Sequence, residues 1–276
     1  RQEIALGGQR LVGAVGWTHQ GRSFDGARVT FRDNNSTFEV VAARLGDATS
    51  PASAIDANLI GIYATVAPLS GSELYVLRNS ADNKTDQITA GVRKAGMAGE
   101  FAYRVEGAYQ TGERAGVDVA AFLAGARLGR KVGKTNVTLW YDYLSGDDDL
   151  GDNESKVFDT LFATNHKFYG FADYFLNIPV HTAGLGLQDL AVKAKTTLRP
   201  GLSLGVDVHT FSLAQDTGVT TAHLGEEVDV TLGYDYRGAA KFTCGMSYVV
   251  AADGFADIGR LNDNALFMYV MTDVRF

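Results

Sequence analysis

Residues 99–109 alternate strictly: Phe101, Tyr103, Val105 and Tyr109 interleave with Glu100, Ala102, Arg104, Glu106 and Ala108. An extended chain with this period has one oily face and one charged face. The pattern recurs. In 227–236, Val228, Val230, Leu232, Tyr234 and Tyr236 alternate with Glu227, Asp229, Thr231 and Asp235, and in 136–143, Val137, Leu139, Tyr141 and Tyr143 alternate with Asn136, Thr138, Trp140 and Asp142. Segments 26–32, 37–44, 89–93, 189–197, 202–211 and 241–250 follow the same rule, whereas 73–79 and 117–127 alternate poorly and read as strands carrying bulges. The last strand sets Leu266, Met268, Val270, Thr272, Val274 and Phe276 against Tyr269, Asp273 and Arg275. A terminal aromatic closing such a strand suits a bacterial membrane barrel.

Tight connections at 33–36, 129–134, 199–201 and 237–239 interleave with long polar ones. Short periplasmic turns alternating with long outer loops produce that rhythm. Placing each tight turn in the periplasm gives about 14 strands, with both chain ends on the periplasmic side. The stretch 165–175, NHKFYGFADYF, is strand-like but would break the up-and-down order, so it is placed in a loop. Residues 145–184 then form one long extracellular loop, of a length that folds inward and narrows a pore. The expected fold is all-β, a transmembrane antiparallel up-and-down β-barrel forming a single outer-membrane domain over 1–276, with about 14 strands visible and about 14 to 18 in the complete protein.

Composition alters this picture little. Mean hydropathy of −0.05 resembles that of a water-soluble chain, and no run approaches the roughly 18 apolar residues of a membrane helix. Alternation hides a lipid-facing surface from any average. A net charge of −7 and a pI near 5.2 argue against nucleic acid as a partner. The lone Cys244 falls on the lipid face between Phe242 and Met246, as a small hydrophobe. Tyr103, Tyr109, Tyr141, Tyr143, Tyr234, Tyr236 and Tyr248 sit near strand ends as interfacial anchors against outer-membrane lipid and lipopolysaccharide. The chain opens at Arg1 with no Met, so upstream N-terminal sequence, strands included, is expected.

With polar faces inward, the lumen carries Arg28, Arg32, Arg93, Arg104, Lys193, Lys195, Lys241 and Arg275. Against them stand Glu39, Glu100, Glu106, Asp118, Asp142, Asp189, Asp207, Glu227, Asp229, Asp235 and Asp273. The acids outnumber the bases, so any anion preference must come from a local constriction, where a few fixed charges act through focused field lines. Arg10, Arg22, His166 and Lys167 are candidates for that constriction; the competing role for Arg10 and Arg22 is to lock loops against wall carboxylates. Phe168, Tyr169, Phe171, Tyr174 and Phe175 either stack on passing sugar rings or pack the loop. Asp147, Asp149 and Asp152 crowd one outer loop and form a weak metal candidate without the spacing of a calcium loop. The histidines are dispersed, no nucleophile-elbow or metal-ligand spacing occurs, and neither a catalytic role nor a cofactor is expected.

Two blocks carry a family resemblance. The first is RQEIALGGQRLVGAVGWTHQGRSFDGARV, residues 1–29, where a strand-like start leads to a loop with Arg, Trp and a Phe-Asp-x-x-Arg element, here Phe24, Asp25 and Arg28. The second is FDTLFATNHKFYGFADYF, residues 158–175, followed by Gly186-Leu187-Gln188-Asp189-Leu190. Both resemble the alginate export family of outer-membrane porins. That resemblance implies a barrel of about 18 strands passing an anionic solute or acidic polysaccharide by passive diffusion. It also implies a monomer and, for an exporter, a periplasmic scaffold. The alternatives are a general small-solute porin and a plugged structural or adhesive barrel.

Overall fold

The computed structural model describes residues 1–49, 53, 55–149 and 151–274. Arg275 and the terminal Phe276 lie outside them. Fourteen strands form: β1 (Asp25–Asp33), β2 (Ser36–Gly46), β3 (Ala57–Val66), β4 (Ser72–Ala81), β5 (Thr85–Ala98), β6 (Phe101–Arg114), β7 (Val117–Val132), β8 (Thr135–Leu144), β9 (Glu154–Ser155), β10 (Leu187–Arg199), β11 (Leu202–Ser212), β12 (His223–Tyr236), β13 (Ala240–Ala251) and β14 (Ala265–Val274). All but β9 follow one another in a single antiparallel path. The two-residue β9 instead pairs in parallel with β7, beyond the point where β8 has ended.

Cross-strand register converts the sequence period into two faces. Val29, Val40, Ile62 and Val76 are successive partners across β1 to β4, and Tyr109 opposes Phe122 across β6 and β7. These side chains are exposed, Ile62 at 53% and Val270 at 77%. A continuous band of exposed aliphatic and aromatic side chains is stable only against lipid. Cys244 lies in the same band. Turn chemistry fixes the register: Asn34 and Asn35 both take positive φ, 45° and 63°, which sets the two-residue hairpin that pairs Asp33 with Ser36.

The other face is lined by residues 1–24 and by buried residues of the long connection from β8 to β10, Phe158, Phe168, Tyr169 and Phe175 among them. The N-terminal segment reaches β1 through Arg1 and Asp25 (3.0 Å), β8 through Arg10 and Asp142 (2.7 Å), and β14 through Trp17 and Tyr269 (ring centroids 4.6 Å). One short segment can touch the first, middle and last strands only if the sheet wraps around it as a barrel wall. Among the described residues β1 and β14 are the sheet edges and do not pair with each other.

Several expectations require correction. β4 and β7 carry no bulge; their registers with both neighbours run unbroken. Register shifts fall instead at Arg44/Gly46, Thr197/Arg199 and Phe211/Ser212. Polarity fails to alternate in β4 and β7 because their inward residues Tyr75, Leu77, Val119, Ala121 and Leu123 belong to a buried apolar core. Direction alternates there even though polarity does not. The loop rim is also not uniformly long: Ala115 and Gly116, both at positive φ, close β6 onto β7 in two residues. Asp118, expected in the lumen, opposes Glu113 on the outward register at that rim. With an odd number of strands in the path, β1 begins at the loop rim and β14 ends at the tight-turn rim, so the two ends do not share the periplasmic side.

Replacing Ile62 by Lys places a charge in the middle of the lipid-facing band. Unfolding titrations in lipid vesicles are expected to show a loss of about 2–4 kcal/mol. A loss below roughly 0.5 kcal/mol, the level of ordinary surface changes, would mean that the faces are assigned the wrong way round.

Candidate functional site

Charged side chains converge where the two luminal segments meet the wall. Arg10 sits at the centre, only 4% exposed. Its guanidinium grips Asp142 of β8 through two bonds of 2.7 and 3.0 Å, donates to the Tyr169 hydroxyl at 2.9 Å, and lies 3.5 Å from Glu106 of β6. The Phe168 ring covers it with a centroid 4.3 Å away, and Trp140 Nε1 donates to the same Asp142 carboxylate at 2.8 Å. A planar fork held by two carboxylates, a phenol and an aromatic face is committed to the protein rather than to a solute. Arg10 is therefore a tie joining the N-terminal segment, the wall and the long segment.

Beside this tie stands a different arrangement. Arg104 and Arg127 are direct cross-strand partners of β6 and β7, both on the inner face. Like charges directly opposed across a ladder destabilise it. Neither guanidinium has an ion pair or hydrogen-bond partner among the described residues, and Arg127 Nη2 is buried without one. Arg127 lies over the Trp140 ring at 3.1 Å, and both arginines line a cavity of about 340 Å³ with Thr138 and Trp140. Lys167 approaches from the long segment, its Nζ donating to the Gly8 carbonyl at 3.2 Å. Burial, followed by the charges of Arg104, Arg127, Arg93 and Arg10, holds its ammonium below the usual lysine range. Arg93 itself is ion-paired to Glu73, which also accepts from the Tyr63 hydroxyl.

The facing wall is acidic. Asp189 and His209 are wholly buried, with Oδ1 and Nδ1 2.8 Å apart. Glu227 and Asp229 on β12 accept from the backbone N–H groups of Ala172 (2.7 Å) and Phe171 (3.4 Å). Gly170, at φ +81°, permits this approach, since a Cβ there would overlap the Glu227 carboxylate. Lys193 pairs with Asp207 at 3.0 Å.

Most of the charges anticipated in the lumen thus fall on the inner face, but in different circumstances. Arg28 is paired with Glu39, and Arg32 shares the inner face with Thr37 near the tight-turn rim. Arg22 is half-buried and donates to the carbonyls of Phe162 and Ala163, locking the N-terminal segment to the long one. His166 is buried between Trp17 and Phe171, with Nδ1 2.6 Å from Asp173. Lys195 lines a second cavity. Asp149 and Asp152 accept from backbone N–H groups two residues on, Asp147 does so at 3.3 Å, and among the described residues no group of three or more acidic, His or Cys side chains converges as a metal site. Sequence reasoning missed Arg127, concealed in the poorly alternating β7, as well as the stacked Tyr63 and Tyr75 and the role of Trp140 as a platform.

The chain matches the family described as alginate export over residues 1–260. No curated protein sequence matches it. Among solved structures it is similar to Pseudomonas aeruginosa OccK3 (OpdO), at 14% identity with a TM-score of 0.62, covering 98% of this chain and 74% of that one. OccK5 (OpdH) of the same organism is similar at 12% identity and TM-score 0.60, with coverages of 98% and 74%. The outer membrane protein OpdK, also from P. aeruginosa, follows at 12% identity and TM-score 0.55, covering 91% of this chain and 71% of that one.

Arg10→Ala leaves Asp142 charged and buried without its partner, which costs about 3–5 kcal/mol. Denaturant unfolding should show that loss, and proteolysis should cut within 145–186 sooner than in the parent. Arg10→Ala/Asp142→Leu removes both charges and should recover part of the loss. A single variant as stable as the parent would contradict the tie.

Proposed function

The chain belongs to the alginate export family and is a β-barrel porin of the bacterial outer membrane, and from that premise we propose that it passes hydrophilic anionic solutes, alginate-like acidic polysaccharide among them, by passive diffusion. The observation that carries this reading is the opposed pair Arg104 and Arg127. The wall has carboxylates available, yet these two guanidiniums are left without one, at a cost to the ladder. A passing carboxylate supplies what is lacking, and the planar fork matches its two oxygens. Lys167 adds a third positive charge from the long segment, which acts as the inward-folded constriction. Arg28, Arg93 and Lys193 are neutralised by neighbours and contribute to solvation of the wall rather than to selection.

The general small-solute porin lacks any need for an uncompensated cation pair. The plugged barrel has one observation in its favour: Ile4, Leu6, Leu11 and Val12 of the N-terminal segment and Phe158, Phe168 and Phe175 of the long one form a buried apolar core on the inner face.

Planar-bilayer recordings separate these readings. The parent should conduct, show a reversal potential favouring anions in a salt gradient, and be blocked by uronate oligomers. Arg104→Gln/Arg127→Gln should conduct with anion preference reduced several-fold and block relieved. Unchanged preference in that variant would refute the assignment, while absence of conductance in the parent would favour the plug.

A further inference from the structure

On the outward face of β1 to β4, register rows change character toward the loop rim. The row of Val29, Val40, Ile62 and Val76 belongs to the aliphatic band that meets lipid. One row nearer the loops come Ala27, Ala42, Ile60 and Arg78, continued on β5 by Ile88. Arg78 thus stands on the lipid face between two isoleucines, Ile60 at 49% and Ile88 at 40% exposure. A charge on that face is costly in proportion to its depth, and one that is kept calls for a partner. The outermost row is polar throughout: Asp25, Arg44, Asn58, Ser80 and Asp86.

Across the last two rows lies an open groove of about 390 Å³, lined by Ala42, Arg44, Asn58, Ile60, Arg78 and Ser80. Acids on the loop side aim both guanidiniums. Arg44 binds Asp56 at 2.5 Å and Asp47 at 3.2 Å, both in the connection between β2 and β3, and Arg78 grips Asp86 through bonds of 2.6 and 2.8 Å. These side chains are half-exposed, unlike the buried Arg10, and such pairs contribute little to stability. The acids engage only Nε and Nη2. In each arginine Nη1 makes no bond among the described residues, so its N–H donors remain available on the membrane side of the acids. Asn58 and Ser80 add an amide and a hydroxyl to the same groove.

We propose that this groove seats the phosphorylated sugar headgroup of an outer-leaflet glycolipid, the lipid A part of lipopolysaccharide, with its acyl chains over Val40, Ile62 and Val76. The loop rim of such a barrel faces out of the cell, so the lipid reaching the groove is that of the outer leaflet. Guanidinium donors match phosphate oxygens, and the amide and hydroxyl match sugar hydroxyls. The phosphate then lies where the aliphatic band gives way to charge, which is the level of a headgroup. The site is on the outside of the wall. It does not depend on what passes through the lumen, and either reading can fail without the other.

Native mass spectrometry of the full chain, released from detergent with lipid A or with phosphatidylglycerol at equal concentration, tests the assignment. Lipid A should stay bound as a discrete adduct and phosphatidylglycerol should not. Arg44→Gln/Arg78→Gln should weaken lipid A retention roughly tenfold, the scale of one lost charged contact. Arg130→Gln, which alters an outward arginine at the opposite rim, should leave it unchanged. Unfolding in vesicles separates binding from packing, the readout being the gain in stability that lipid A brings over phosphatidylcholine alone. The parent should show that gain and Arg78→Leu should lack it. An equal gain in parent and variant would reduce Arg78 to an ordinary wall ion pair, and equal retention of phosphatidylglycerol would mean a general anionic-lipid surface. Displacement of lipid A by excess inorganic phosphate would assign the groove to the free ion. Any of these results, or lipid A binding that ignores the double change, would overturn the proposal.

Discussion

The bond between Arg10 and Asp142 organises the inside of this barrel. A carboxylate wholly removed from water on a wall strand is tolerable only with a full complement of partners, and Asp142 obtains them from a guanidinium fork and an indole N–H. The same guanidinium bonds Tyr169. Because the three groups reside on the N-terminal segment, on β8 and on the long segment, satisfying one buried charge fixes the relative positions of all three. The apolar packing of Phe168 and Tyr169 follows from that placement.

Around the tie the inner wall divides into two chemistries. Where the luminal segments cover it, wall residues such as Leu59, Leu77 and Leu123 are apolar and buried, and the buried carboxylates of Asp142, Glu227 and Asp229 are bonded by the covering segments. Where they do not, the wall is charged and wet, and its charges are mostly neutralised across strands. Arg104 and Arg127 lie at the boundary, close enough to the covered region for partial burial and bonded to no acid among the described residues. On the proposed anion-passing reading, that position gives a fixed pair of positive charges more influence on a passing ion than the lumen average would have.

The same division explains what could be read in the sequence. β6, β8 and β12 were evident because lipid meets one face and water the other, so direction and polarity alternate together. β3 does not stand out, and β4 and β7 read as irregular, because segments distant in sequence replace water on their inner faces. Arg127 was overlooked for that reason alone. Arg10, Asp142, His166 and Lys167 were each marked by residue type and setting, but the pairing of Arg10 with Asp142, or of Trp17 with His166, depends on sheet curvature, which no local period encodes. The two-residue return at Ala115 and Gly116 was likewise obscured within an expected long connection.

The distances along the chain spanned by these contacts set an order of assembly. Each wall strand pairs with its neighbours in sequence, so nearly every ladder closes over a short loop. Arg10 finds Asp142 across 132 positions and Tyr169 across 159. Contacts of such range carry a large loop-closure entropy and form after local ones. The wall can therefore zip up hairpin by hairpin while its interior is still hydrated, and the first residues of the chain are among the last to settle. A late step of this kind makes filling of the lumen a checkpoint on the wall as far as β8, since the anchoring carboxylate is in place only once that strand has been added to the ladder.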